Sequence, residues 1–297
     1  MRRILKWIGL ITAGLVIILV IAIPALYIFA NSRLYNVEVN VRPVQVSGDP
    51  VAIARGEHLV RSISACSDCH GENLEGKAFL EDPMIGYMAA PNLTRGAGGI
   101  GTTYSMEDWE RAIRHGVGGD GRALAVMPSN SYAHLSDEDM AAMIAYLQAF
   151  PPIDNVLPER SISFLATIIF GVFNYAELPV AMIDHASVGS SAPTEGVSIE
   201  YGEYLVDLAS CRDCHGADLS GRSPAEAEGG PPAGPNLTRA GALDNWSEQD
   251  FITALRTGST PDGRIISPEM PWPAYAGMSD EDLLAIWLYL ENLPAVP

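Results

Sequence analysis

Cys66-Ser67-Asp68-Cys69-His70 returns later in the chain as Cys211-Arg212-Asp213-Cys214-His215. Cys-x-x-Cys-His is the signature of covalent c-type haem attachment. Two thiols take the two vinyl groups of one porphyrin as thioethers, and the adjacent histidine lies under the iron as its proximal ligand. On this reading Cys66 and Cys69 hold haem 1 with His70 on its iron, and Cys211 and Cys214 hold haem 2 with His215 on its iron. These two sites use all 4 cysteines of the 297-residue chain. A zinc site and a thioredoxin-like dithiol are the competing readings. Zinc shared between the two pairs leaves both histidines unexplained, and a dithiol needs neither the histidine nor a second copy.

The motif sits inside a longer repeat. Gly56-Glu57-His58-Leu59-Val60 corresponds to Gly202-Glu203-Tyr204-Leu205-Val206, and Pro91-Asn92-Leu93-Thr94-Arg95 to Pro235-Asn236-Leu237-Thr238-Arg239. Asp120-Gly121-Arg122 matches Asp262-Gly263-Arg264, Met127-Pro128 matches Met270-Pro271, and Ser136-Asp137-Glu138-Asp139 matches Ser279-Asp280-Glu281-Asp282. A repeat of about a hundred residues means tandem domains, since solenoid units run to only ~20–50. Capping signals predict a helix from Ser105 to a stop at Gly116, and its copy from Ser247 to Gly258. A last helix in each half opens at Ser136 or Ser279, with apolar residues at helical spacing (Met140, Met143, Ile144, Leu147; Leu283, Leu284, Ile286, Trp287, Leu290). A further helix leads into each cysteine pair, and the Gly- and Pro-rich stretches between show no convincing strand. The expected fold class is all-α: two small haem domains, each building its core around a large apolar cofactor.

Each iron needs a sixth ligand from a loop opposite the histidine. Thioether sulfur suits electron transfer, because Met/His ligation raises the reduction potential. Met127 and Met270 occupy matching places, each followed by proline, and are the candidates. Met84, Met88, Met106, Met140 and Met143 have no methionine counterpart and read as core filler. Pro91 and Pro235 are candidates to place a carbonyl on the proximal histidine's Nδ1–H, with simple turn formation as the alternative. Asn92, Arg122, Asn236 and Arg264 are candidate partners of the haem propionates, or solvated loop residues. Tyr132 and Tyr275 wall the haem edge or simply pack. His58, His115, His134 and His185 have no histidine counterpart and read as surface or packing residues.

Taken together, these residues carry a family resemblance. Both halves resemble class I cytochrome c domains. Gly-Glu-x-Leu-Val before the haem motif, Pro-Asn-Leu-Thr after it, and Met-Pro-x-x-x-Tyr-Ala-x-x-Ser-Asp-Glu-Asp before the last helix resemble the cytochrome c subunits of bacterial membrane-bound alcohol and aldehyde dehydrogenases. The chain differs from them in having two haem motifs where three are common, and in its N-terminal anchor. The resemblance implies two covalent haem c groups, a dehydrogenase partner, and haem attachment outside the cytoplasmic membrane.

Trp7 to Ala30 is an uncharged, mostly aliphatic run of 24 residues. As a helix it is about 36 Å long, enough to cross a ~30 Å hydrocarbon core with some tilt. Arg2, Arg3 and Lys6 precede it, which keeps the N-terminus cytoplasmic. The run is longer than the apolar part of a cleaved signal, and Ile28-Phe29-Ala30 is a poor cleavage site, so a retained single-pass anchor in the bacterial inner membrane is expected, with periplasmic haem domains. The chain therefore divides into an anchor (1–31), a polar spacer (32–50) lifting the first domain off the membrane, domain 1 (51–155), a linker (156–196) and domain 2 (197–297). The linker contains the apolar stretch Ile162–Phe173, expected to pack between the haem domains, with the membrane surface or a partner subunit as alternatives. Its Ser187–Thr194 portion reads as flexible.

The chain carries a formal charge of −18. Domain 1 has 7 basic against 14 acidic side chains and domain 2 has 5 against 16. The charge argues against nucleic acid and anionic lipid headgroups as partners of the globular part, and a basic electron-transfer partner would be steered in. Only Lys6 and Lys77 are lysines, so no lysine ring surrounds a haem edge. The expected function is membrane-tethered electron relay, from a dehydrogenase or quinol-oxidising complex to a downstream cytochrome or oxidase. The alternative is a haem enzyme, such as a di-haem peroxidase or a thiosulfate-oxidising cytochrome. That alternative needs an open iron site or a spare cysteine ligand, whereas every cysteine is used and both halves offer a methionine.

Overall fold

The computed structural model describes residues 2–189, 191–225 and 232–296; Ser190, within the stretch expected to be flexible, lies outside them. The chain opens with α1 (Arg2–Tyr35), one long helix that runs through Pro24 and buries only Ala30 and Leu34. Such a helix is long and apolar enough to cross a membrane.

Domain 1 follows. Asp49 caps α2 (Pro50–His58) by accepting from the amides of Val51 and Ala52, and a π-helical turn (Leu59–Ile63) carries the chain into α3 (Cys66–His70). An antiparallel hairpin comes next, β1 (Lys77–Asp82) and β2 (Gly86–Ala90), turned where Asp82 Oδ1 accepts from the amides of Met84 and Ile85. Then come α4 (Met106–His115), the short α5 (Ser129–Tyr132) and α6 (Asp137–Ala149). The capping box predicted at Ser105 is present, and Gly116 ends α4 at φ 66°, a left-handed turn for which glycine carries no Cβ penalty. The linker supplies β3 (Ser161–Ile162), which pairs with β2, then α7 (Phe164–Ile168) and α8 (Pro179–Met182). Domain 2 repeats the helical plan as α9 (Ile199–Leu208), α10 (Cys211–His215), α11 (Glu248–Thr257), α12 (Trp272–Tyr275) and α13 (Asp280–Glu291).

The helical class stands, but the expectation of strand-free loops does not. The Lys77–Ala90 stretch lacks clean alternation because a bulge between Ala78 and Leu80 shifts the register, which hides a strand from a period-2 reading. The spacer also differs from expectation. The amide of Val37 donates to Gly121 O and that of Ala123 to Leu34 O, at 3.0 and 2.8 Å. Leu34, Val117, Ala123, Leu178 and Val180 then form a small core there. Domain 1 is thus seated directly on the end of α1.

In both domains the first helix crosses the last at a glycine. A Cβ at Gly56 would collide with the carbonyl of Ala142, and one at Gly202 with that of Ala285. The close crossing buries Leu59, Val60 and Ile63 in one domain and Leu205, Val206 and Leu208 in the other. All of them belong to one apolar core continuous across both domains.

The two halves meet through a polar network with two-fold character. Arg55 grips Asp139 with two bonds of 2.8 Å, and its repeat counterpart Tyr201 donates to Asp282 at 3.1 Å. One turn on, His58 of domain 1 reaches Asp282 of domain 2 (2.7 Å), while its counterpart Tyr204 of domain 2 donates to Asp139 of domain 1 (2.8 Å). Arg55 also donates to the Tyr201 hydroxyl at 3.2 Å, tying the two pairs together. His58 is therefore an interdomain ligand of a carboxylate.

Candidate haem sites

The two Cys-x-x-Cys-His segments form matching short helices. Each is entered through a residue held left-handed, Ala65 (φ 48°) and Ser210 (φ 55°), and each is followed by a left-handed leucine, Leu74 (φ 61°) and Leu219 (φ 62°). Non-glycine residues adopt this conformation at a cost of roughly 1–2 kcal/mol. That both copies hold the same two strained positions shows the surrounding packing imposing one geometry on the motif.

The two motif histidines are each set by a single contact. His70 Nδ1 lies 2.8 Å from Pro91 O and His215 Nδ1 lies 2.7 Å from Pro235 O. A carbonyl only accepts, so Nδ1 carries the proton and Nε2 keeps its lone pair, the form a metal requires. Burial lowers both histidines' pKa below the ordinary value, while the carbonyls act the other way. Both rings are therefore neutral at neutral pH.

The thiols are chemically quiet. Burial pushes Cys66 and Cys211 up to about 12, with neighbouring charges adding to it (Cys69 beside Cys66, Asp207 beside Cys211). Zinc binds thiolates, and the described residues contain no cluster of three or more His, Cys, Asp or Glu side chains arranged to hold a metal ion. Free thiols, three of them half-buried and Cys69 exposed, suit thioether formation and not a zinc cage. A further fit appears in domain 1, where the Trp109 indole N–H is buried and has no acceptor in the protein. A buried orphan donor points to an acceptor supplied from outside the chain.

Met127 and Met270 both lie half-buried against the shared core, on loops pinned in the same way. Tyr132 OH donates to Ser64 O (2.9 Å) and Tyr275 OH to Ala209 O (2.6 Å). Those carbonyls immediately precede the strained residues that open each motif, so the tyrosines fasten the methionine loop to the cysteine segment. Asn92 and Asn236 have another task than the propionate contact considered above. Each donates to a distant carbonyl, Ile153 O or Val296 O (both 2.7 Å), and accepts from the amide of Thr94 or Thr238. They lock the proline loop to the chain beyond the last helix. Arg122 faces Asp120 at 3.5 Å, and Arg264 is exposed.

Two arginines escaped the sequence reading. Arg114 is buried, pairs with Glu110 (2.8 Å) and donates to Leu135 O (2.9 Å). Its counterpart Arg256 donates to Ala276 O and Met278 O and pairs with Asp280. Both brace the loop between the methionine and the last helix. Their matched position, two residues before the helix-stopping glycine, was the available signal.

Comparison with known proteins accounts for both halves. The family model for subunit III of cbb3-type cytochrome c oxidase matches residues 51–147, and the cytochrome c model matches 199–294. The chain carries two cytochrome c domains. Its two domains carry two covalently bound haem c groups. The chain is 31% identical over 277 residues to the fructose dehydrogenase cytochrome subunit of Gluconobacter japonicus, covering 85% of this chain and 55% of that protein. It is 30% identical over 278 residues to the cytochrome c subunit of the quinone alcohol dehydrogenase of Gluconobacter oxydans, covering 84% and 56%. It is 29% identical over 320 residues to a diheme cytochrome c-type protein of Cereibacter sphaeroides, covering 96% and 98%. The chain thus spans about half the length of the two dehydrogenase subunits.

Proposed function

We propose that this protein is a membrane-tethered relay, passing single electrons through two haems from a membrane-associated dehydrogenase or quinol-oxidising complex to a downstream cytochrome or oxidase. The dehydrogenase partner is suggested by relatives that are cytochrome subunits of such enzymes. Haem iron supplies a one-electron couple whose potential the axial ligands set. Cys66, Cys69, Cys211 and Cys214 fix the two groups to the chain. His70 and His215 present Nε2 to the iron, held by Pro91 O and Pro235 O, and Met127 and Met270 offer sulfur from the opposite side. Arg2, Arg3 and Lys6 hold the start of α1 on the cytoplasmic side, which leaves both haem domains in the periplasm.

The observation carrying this reading is that the two sites touch. Asn130, three residues after Met127, donates to Asp213 inside the second Cys-x-x-Cys-His motif at 3.0 Å. The Tyr275 phenol is pushed well above its usual pKa, first by burial and then by Cys211, Cys214 and the aspartates Asp68 and Asp213 of both motifs. Asp68 of the first motif and Asp213 of the second therefore both lie near this one buried phenol, which supports two adjacent haem stations.

The test removes the tether without uncovering its packed end. Residues 2–26 are replaced by a cleavable signal, keeping Tyr27–Leu34 on their partners. The product is expected to be soluble, to carry both haems with unchanged spectra, and to turn over more slowly with native membranes, recovering when added in excess. Unchanged turnover at equal concentration would overturn the tether's role. A high-spin haem that binds added ligands in the intact protein would overturn the relay in favour of an enzyme.

A further inference from the structure

The apolar stretch of the linker does not pack between the haem domains. Phe164–Phe173 forms a short apolar helix against the far end of α1. Phe164 stacks on Tyr27 with ring centroids 4.6 Å apart. Gly171 comes so close to Ala30 that a Cβ there would lie 2.5 Å from the alanine's own. Arg33 donates to Gly171 O at 3.2 Å and lies 3.6 Å over the ring of Tyr175. The side of the helix turned away from α1 is apolar and uncovered: Leu165, Ile169 and Phe173 are 55%, 40% and 72% exposed. No charged residue occurs between Arg160 and Glu177.

We infer that this helix is a second membrane contact, lying in the outer interfacial layer with Leu165, Ile169 and Phe173 in the lipid. The inference rests on α1 being the membrane span. If the uncharged run Trp7–Ala30 crosses the hydrocarbon, Tyr27 to Ala30 mark its outer edge, and the helix beside them is held at that depth. Its uncovered face is continuous with the lipid-facing residues of α1, such as Ile28 and Phe29, both also exposed. That continuity favours lipid over a protein partner as the occupant. The surroundings agree. Arg33 stacks on Tyr175, and Arg160 donates to the Tyr35 hydroxyl at 2.8 Å. Tyrosine is enriched in the boundary layer of membrane proteins and arginine can anchor there, where interfacial helices sink ~5–10 Å. With α1, two contacts fix domain 1 against tilting and rotation, where one helix alone would leave it free to swivel.

The test uses the full-length holoprotein in phosphatidylcholine–phosphatidylglycerol vesicles. The native thiols are consumed by haem, so one introduced cysteine takes one nitroxide label. Labels at Leu165→Cys, Ile169→Cys and Phe173→Cys are compared with Ile28→Cys on α1 and Val51→Cys on domain 1, each with both haems retained. Collisions with oxygen, which concentrates in lipid, are expected to exceed those with a water-soluble nickel chelate at 165, 169, 173 and 28, and the order to reverse at 51. Water-dominated collisions at all three linker positions, with 28 still in lipid, would overturn the inference alone. The same result with 28 also in water would overturn the anchor beneath it. Linker positions that lose access to both reagents only when the dehydrogenase is added would show a protein-docking face and overturn the lipid assignment.

Discussion

Domains 1 and 2 agree wherever the chain grips a haem and differ almost everywhere else. The histidine–proline contact, the tyrosine clasp, the left-handed pairs, the bracing arginine and the helix-crossing glycine occur in both. Among the described residues, domain 1 alone adds a hairpin joined by a linker strand, a seat on α1 and the orphaned Trp109, where domain 2 has Phe251. Domain 2 is the more acidic, at −11 against −7. The lesson is that cofactor geometry constrains a small skeleton of residues, leaving the outer faces free to specialise: domain 1 in its seat on α1, domain 2 in a more acidic surface.

The comparison breaks most severely if one skeleton can be removed without the other. The double variant Cys66→Ala/Cys69→Ala is expected to drop from two covalent haems per chain to one, measured by pyridine haemochrome, and the Cys211→Ala/Cys214→Ala variant to do the same. The surviving spectra of the two variants should sum to that of the intact protein. Loss of both haems from either variant would show that the shared core makes the domains fold as one unit. Met127→Ala or Met270→Ala should keep both haems but lower one potential by on the order of a hundred millivolts or more, within the ~0.8 V that axial ligands command. The other potential should stay put. Unchanged spectra in both variants would refute the methionine assignment.

The interface between the domains gives a smaller, pH-dependent effect. Burial works to raise Asp282, but donors from His58 and Ser279 outweigh it and hold the carboxyl at about 2. A depressed carboxylate stabilises the fold fully above its unfolded pKa near 3.9, and that contribution is lost as pH falls toward 2. At ~1.36 kcal/mol per unit this is roughly 2–3 kcal/mol. Asp282→Asn should therefore lower stability at pH 7 by about that amount and flatten the acid limb of the unfolding curve. A double-mutant cycle with His58→Ala should show the two residues coupled. Additive effects would mean the 2.7 Å contact contributes nothing.

Much of this was legible in the sequence, for identifiable reasons. Ligand spacing, caps and helical periods are local, and a repeat reports each of them twice; hence the motifs, the α4 and α11 boundaries and the methionine loops could be read directly. Asp139 and Asp282 were visible only as capping acids. Their partners Arg55, His58, Tyr201 and Tyr204 differ in residue type between the copies, so matching identical residues passed over a symmetric interface made of unlike side chains. The linker helix was recognised as apolar, but its partner lies more than a hundred residues away in α1, and no local pattern names it. Asn92 and Asn236 were noticed because they repeat. Repetition showed that they matter, and only the structure showed that they staple backbone.

Trp109 offers the smallest effect and the sharpest discrimination between the halves. Its indole N–H is buried without a protein acceptor, and an unsatisfied buried donor costs roughly 1–3 kcal/mol. Domain 2 avoids the question with Phe251 at the matching place. If a haem 1 propionate accepts from that N–H, the bond draws negative charge away from the iron's surroundings. Trp109→Phe then restores that charge, favours the ferric state and lowers the potential of haem 1. The shift should stay within about 60 mV, a tenfold change for a one-electron couple, with haem 2 unmoved. The reciprocal Phe251→Trp should not raise haem 2 unless an acceptor waits there. A Trp109→Phe variant with an unchanged potential, but equal or greater stability, would show that the donor is a plain packing defect and that the two haem pockets are more alike than their sequences.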